Sequence, residues 1–361
     1  MPDPQPPNPK DLMNLFELVK KYNNFQSRGD DWEFGYYVGK DWKKLGVVTA
    51  RHAELLLGLK AKLAKHLLFD RMSAEQRPCQ RIRVHADHLK DSDAFVKGIR
   101  DIRDILCRSE NRHRDKNFGA VWDDENEMWP LRLHLYGTTW LSTGFFCGLS
   151  PVFGIVTTGV HLNVYNGKKE DPKAYSIFVA KRSDKKSTFR GMYDQCAAGG
   201  YQYAGGGFGE AGDKTAEECL KREVKEELTS SLLRRWLKDV KKASPIQYAV
   251  LRDERWGENF LGAPELGVKI PFDLEVEEDP IFKPNPKEVK LVEKKSVDEI
   301  VKDLINGEFK PNSALVMIDF LIRHGCLGKP SPGDVLDKMS GMLQEHAIVN
   351  GLPHWSDEQD L

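Results

Sequence analysis

No Cys-x-x-Cys pair and no close grouping of cysteine with histidine occurs in this chain, which excludes the common structural zinc sites. The six cysteines (Cys79, Cys107, Cys147, Cys196, Cys219 and Cys326) are scattered, a usage that fits reduced thiols in a cytosolic protein. No run approaches the roughly 18 apolar residues that would span a bilayer, and the proline-rich start lacks the basic-then-apolar order of a leader. An excess of charge is missing too. The 54 Lys plus Arg against 55 Asp plus Glu set up no field to draw the molecule onto nucleic acid or an anionic membrane, so any phosphate recognition must be local. No G-x-x-x-x-G-K-[ST] loop is present, and no histidine is placed to suggest a nucleophilic triad. These absences point to the cytoplasm, with the nucleus as the other choice, and to a small-molecule partner; they leave the oligomeric state open.

At 361 residues, two domains are the natural expectation. A disordered start over 1–10 precedes a segment, 11–150, that alternates helices and short strands and reads as a smaller α+β unit. Within it Leu12, Leu15, Phe16 and Val19 mark a helix, residues 32–48 a hairpin, and Phe95, Ile99, Ile102 and Leu106 one face of another helix. The charged stretch from Asn111 to Asn126 reads as a loop. Segment 151–326 carries β-rich runs at 155–165, 174–180, 247–251 and 267–274, with a run at 131–136 just before them. Helices are expected at 297–306 and 312–324, and a tail over 327–361 has one amphipathic helix around 335–349. The fold class expected is α+β, a mixed sheet between helices behind the smaller leading unit.

The chemistry concentrates in residues 205–228, where a glycine-rich loop feeds an acidic helix at roughly 214–229. On a helix Glu223, Glu226 and Glu227 stand at i, i+3 and i+4, while Ala216, Cys219, Leu220 and Val224 form the stripe that pins the helix to a sheet. Three adjacent carboxylates repel one another unless a cation neutralises them. Oxygen ligands without thiol or imidazole select Mg²⁺, or Mn²⁺, over zinc, and Mg²⁺ binds substrate phosphates. Taken alone, a Lys-Arg-Glu-Val-Lys-Glu-Glu run is more often a solvated face laced with i,i+4 pairs.

The order Arg222-Glu223-Val224-x-Glu226-Glu227 behind a glycine-rich approach resembles the second half of the Nudix box, G-x5-E-x7-R-E-U-x-E-E-x-G-U. The resemblance implies that Glu223, Glu226 and Glu227 ligate the metal and that Arg222 orients one of these carboxylates. The first half departs from the pattern. Lys214 stands where the first glutamate belongs, Asp213 is the nearest acid, Thr229 replaces the box glycine, and Ala197-Ala198-Gly199-Gly200 looks like the opening of a lengthened loop.

Residues Ala180-Lys181-Arg182-Ser183 with Lys186, Thr188, Gly191 and Asp194, then Lys283-Pro284-Asn285, Glu288-Val289 and Gly307 through Gly325, resemble the thiamine-pyrophosphokinase-related Nudix proteins. That resemblance covers about 11–326. It implies a Nudix fold at 151–326 and Mg²⁺-dependent hydrolysis of thiamine diphosphate analogues, such as oxothiamine and oxythiamine diphosphate, and more weakly of thiamine diphosphate. The monophosphate and phosphate would be the products. Arg182, Lys186, Gly199 and Gly200 then fall on the substrate side, and Glu288 either completes the metal site, serves as general base, or is a solvent-facing glutamate. Asn312, Arg323 and His324 lie in the same stretch with a packing role as the plainer reading. The competing functions are a pyrophosphatase for another nucleotide or isoprenoid diphosphate, and a non-catalytic binding module.

Overall fold

The structure is a computed structural model that describes residues 8–71, 80–108, 127–135, 140–186, 188–203, 212–228, 237–256 and 261–353. Residues 1–7 of the start, the expected loop from Asn111 to Asn126, residues 204–211 of the glycine-rich stretch, and Thr229 lie outside them.

The first helix, α1 (Pro9–Lys21), starts on an Asn8 side chain that accepts from the Lys10 N–H at 3.0 Å. Its apolar face does not join the sheet that follows it. Leu15, Val19 and Tyr22 are buried among Tyr248, Leu336 and Met339, more than 200 residues away in sequence. Asn23 ties the junction, donating to Met342 O at 2.9 Å and accepting from Ala249 N at 2.8 Å. Segment 11–150 therefore contributes to two cores.

The leading unit proper begins with the expected hairpin, β1 (Trp32–Val38) and β2 (Asp41–Val48), turned at Gly39 in the left-handed region (φ +62°). The short helices α2 (Ala50–Leu57) and α3 (Lys60–Leu63) lead to β3 (Leu67–Arg71) and β4 (Gln80–Val84), giving a four-stranded sheet of order β2-β1-β4-β3 with β1 and β4 parallel. The strand at Leu67 was not legible in the sequence, where helical periodicity extends to Leu68. Helix α4 (Ser92–Cys107), capped by Asp91, buries Phe95, Ile99, Ile102 and Leu106 on this unit, as the spacing predicts. Next come β5 (Met128–His134) and β6 (Trp140–Phe146), paired, among the described residues, only with each other in a two-stranded ribbon. The described part of the run at 131–136 thus lies in this ribbon, as residues 131–134, and not in the mixed sheet.

A short helix, α5 (Ser150–Phe153), ends at Gly154 in the left-handed conformation, pressed so closely on Val47 that an added Cβ would lie 2.0 Å from Val47 O. The chain then enters the mixed sheet: β7 (Val156–Asn166), β8 (Ser176–Arg182), β9 (Tyr193–Asp194), β10 (Ala197–Gly200), β11 (Lys241–Lys242), β12 (Ile246–Leu251), β13 (Pro264–Glu275) and β14 (Val289–Ser296). The main path is β11-β13-β7-β8-β14, with β10 on β7, β12 on β13 and β9 on β8; β7 and β13 run parallel and the other pairs antiparallel.

Alternation along β7 assigns the two faces. Val160, Leu162 and Val164 pack under helix α6 (Ala216–Leu228). The other face is covered by α1, α7 (Val297–Ile305), α8 (Pro311–Arg323) and α9 (Val335–Gln344), with the short α10 (Ala347–Asn350) closing a smaller cluster around Phe25 and Val268. Helices on both sides of a mixed sheet give the α+β class. The expected tail helix is two helices broken at Glu345–His346. At the end of α8, Arg323 and His324 both bind Asp273 of β13, His324 Nε2 at 3.0 Å, which gives these residues a structural task.

Candidate active site

Helix α6 forms because Glu, Lys, Leu and Ala favour helix, with Glu217 and Glu218 in its first turn and Lys225 in its last complementing the dipole. Ala216, Cys219, Leu220, Val224 and Leu228 pin it to the sheet. Its carboxylates divide. Glu223 and Glu227 lie one turn apart on the buried side, 8% and 9% exposed, whereas the Glu226 side chain is 47% exposed. Burial, and then the mutual proximity of carboxylates, push Glu223 and Glu227 well above the ordinary range; Arg222 opposes this at Glu223.

Each carboxylate is held by backbone or arginine. Ala198 N–H donates to Glu227 Oε2 at 3.0 Å, and Arg222 Nη1 reaches Glu223 Oε1 at 2.7 Å and Glu226 Oε2 at 3.2 Å. A Cβ at Gly199 would lie 1.9 Å from Glu223 Oε1, so any larger residue there displaces that carboxylate. At Gly200 a Cβ would meet the Trp129 ring at 1.7 Å.

Asp213 was noted in the sequence only as the nearest acid, and it has a definite task here. Nearly buried, it accepts from Arg222 Nε at 3.1 and 3.2 Å and from Arg222 Nη2 at 2.7 Å. It also exchanges bonds with Gln202, through Gln202 N to Asp213 Oδ2 at 2.9 Å and Asp213 N to Gln202 O at 3.0 Å. The two ends of the lengthened loop are thus clamped together at the start of the helix, so the extra residues leave α6 in place. Lys214 instead turns its backbone N–H to Glu218.

These side chains border a cavity of about 880 Å³, which Arg182, Lys186, Glu288 and Lys310 also line. Arg182 donates to Asp194 Oδ2 at 3.2 Å, and its buried Nε has no partner among the described residues. Lys186 pairs with Glu288. Lys310, half-buried at the start of α8, lies 3.7 Å from Asp194, and desolvation pulls its ammonium down. Asn285 fastens the Glu288 loop to α6 by donating to Glu227 O at 2.7 Å and, through its side chain, to Glu226 O at 2.9 Å. The structure therefore brings Glu223, Glu227, Arg222, Glu288, Arg182, Lys186, Gly199 and Gly200 to one cavity, with Glu226 at its rim. Lys310 and Asn285 join them, and Asp213 acts from behind through Arg222; in the sequence these three carry no charge pattern or spacing that marks a role.

The donor set is oxygen only, and both buried carboxyls are raised by burial and by neighbouring carboxylates, Glu226 at Glu223 and Glu223 at Glu227, a crowding that a divalent cation relieves, which fits Mg²⁺ or Mn²⁺. Among the described residues no three His, Cys, Asp or Glu side chains converge closely enough to hold an ion; Arg222 occupies Glu223 and Glu226 instead.

No family model matches the chain. Among curated proteins, an uncharacterized protein of Saccharomyces cerevisiae is 33% identical over 201 residues, 54% of this chain and 54% of that protein. Nudix hydrolase 20, chloroplastic, of Arabidopsis thaliana is 30% identical over 223 residues (60% of this chain, 51% of that protein), and Nudix hydrolase 24, chloroplastic, of the same plant 26% over 268 residues (66% of each). The chain matches about half the length of the first two relatives. A solved Nudix domain, that of Shewanella oneidensis NrtR, superposes with a TM-score of 0.29 at 9% identity, covering 42% of this chain and 79% of that one, too loosely to bear on the assignment. Both plant relatives carry the name Nudix hydrolase.

Proposed function

We propose that the chain is a divalent-metal-dependent Nudix hydrolase that cleaves the diphosphate of thiamine diphosphate analogues, oxothiamine and oxythiamine diphosphate ahead of thiamine diphosphate itself. The observation that carries the hydrolase reading is the buried Glu223–Glu227 pair, seated against Gly199 and bordering the same cavity as Arg182, Lys186 and Lys310. The thiamine preference rests on the sequence resemblance over about 11–326.

Glu223 and Glu227, with Glu226 at the rim, would hold Mg²⁺; when bound, that ion lowers the pKa of the attacking water and screens phosphoryl charge. The chain's own residues do the rest. Arg182, Lys186 and Lys310 offset charge on the phosphates. Glu288, held beside Lys186, accepts the proton of the water whose oxygen attacks the terminal phosphorus. The bridging P–O bond breaks, and inorganic phosphate and the monophosphate ester leave. Arg222, fixed by Asp213 and Gly200 O, keeps Glu223 turned to the cavity.

Phosphate release from oxothiamine, oxythiamine and thiamine diphosphates, a nucleotide sugar and a dinucleoside polyphosphate, each with and without Mg²⁺, tests this. Mg²⁺-dependent turnover highest on the oxidised thiamine analogues is expected. Equal or better rates on the nucleotides would remove the thiamine assignment, and no turnover of any compound would remove the hydrolase.

A further inference from the structure

We propose that the leading unit supplies the wall on which the organic part of the substrate rests: Glu127, Met128 and Tyr203 form a subsite for a flat heteroaromatic group bearing an N–H donor or a positive charge. This rests on the diphosphate reading of the same cavity and adds to it the class of group esterified to the diphosphate.

The cavity, at about 880 Å³, is larger than a diphosphate fills, so part of its lining must meet something else. The cations of its lining lie apart from the ribbon side, where Glu127 is near enough to Glu223 to raise that carboxyl. The lining cations Arg182, Lys186 and Lys310 come from β8, the loop after it and the start of α8, with Arg222 on α6 already engaged by carboxylates. The ribbon side contributes a carboxylate, a thioether and a phenol ring, and no cation. A thioether and a ring offer polarizable faces to a flat group, and a carboxylate beside them accepts from an amino group or sits against a ring cation.

The side chains of this wall are built into place. Tyr203 N–H donates to Met128 O at 2.9 Å, which lays the segment after β10 along the ribbon. The Tyr203 hydroxyl is taken up by Ser92 Oγ at 2.6 Å, so the ring is fixed by its far end to α4 of the leading unit. Gly144, on the partner strand of the ribbon, leaves the room that both side chains use: a Cβ there would lie 2.4 Å from Tyr203 Cδ1 and 3.1 Å from Met128 Sδ. Trp129 covers Gly200 from the same strand as Met128. The ribbon, otherwise unpaired with either larger sheet, is thereby locked to the strand that precedes the acidic helix.

The test compares the wild type with Glu127→Gln, an exposed position where folding is not at stake, and with Met128→Ala. The probes are thiamine diphosphate, isopentenyl diphosphate (a diphosphate without a ring) and thiamine without phosphates, each titrated calorimetrically, with KM and kcat measured on any ester that is cleaved. Both variants are expected to weaken thiamine diphosphate and thiamine by about tenfold, through KM and not kcat, and to leave isopentenyl diphosphate within about twofold. Equal weakening of ringed and ringless esters, no weakening of either, or no binding of thiamine and its diphosphate to the wild type would overturn the subsite. Failure of the hydrolase reading shows separately, as binding without turnover.

Discussion

Glu223 and Glu227 keep their protons at a pH where an unfolded chain has released them, because burial and neighbouring carboxylates disfavour ionisation. A carboxylate whose folded pKa is raised costs stability once pH exceeds its unfolded value near 4.3, and the cost is full above the raised value. A cation that binds the ionised pair removes that cost. Mg²⁺ should therefore raise the melting temperature more at about pH 8 than at about pH 5, a difference that thermal denaturation at the two pH values would read; equal shifts would mean that the ion binds elsewhere. Glu227→Gln should lower turnover by orders of magnitude yet melt higher than the wild type without metal, whereas a binding module would show no turnover to lose. Asp213 makes the opposite case. Asp213→Ala strips the buried side of Arg222 of its carboxylate and unclamps the loop from Gln202, so a loss of roughly 3 kcal/mol is expected in urea unfolding, with kcat reduced as Glu223 loses its orientation. That residue was hidden in the sequence because its partner is nine positions away on a helix and its box position holds Lys214.

Among the elements, α6 was the most legible, since charge order and apolar spacing agreed on both its faces. The helices α4, α7 and α8 were legible for the same reason, α7 with a Ser296–Glu299 capping box. Strand β14 was not: Val-Lys-Leu-Val-Glu-Lys-Lys-Ser is a half-exposed edge strand whose charges hide the alternation, and it is identified only by pairing with β8. The ribbon was half seen, because Trp140–Phe146 carries no alternation that separates it from a buried helix. The junction of α8 with β13 allows a prediction at this scale. Asp273, buried against His324, Arg323 and Asn163, is drawn down to about 2 from an ordinary 3.8. A depressed carboxylate contributes stability that is present above its unfolded value and lost as pH falls toward the folded one. Asp273→Asn should cost roughly 2 to 4 kcal/mol at neutral pH and flatten the acid limb between about pH 4 and 2, which denaturant titration across that range would show. An unchanged acid limb would place the acid sensitivity elsewhere.

In the whole molecule, two features lay beyond what sequence adjacency shows. One is that the leading unit borders the same cavity as the acidic helix, which depends on the ribbon, Tyr203 and the close approach of Gly154 to Val47. The other is the destination of α1. Its apolar face was plain, but the core it covers is assembled from residues beyond 160, most of them beyond 240. Removing residues 1–22 should expose that core, with each buried Leu, Val or Tyr worth roughly 1.5 to 3 kcal/mol, and the shortened chain should melt well below the full one. The same arrangement sets an order of events during synthesis. The first helix emerges from the ribosome long before α9 exists, so its apolar face stays partly uncovered until the last tenth of the described chain is made. Docking it is a late, long-range closure, and a chain stalled before residue 335 would carry that sticky face uncovered.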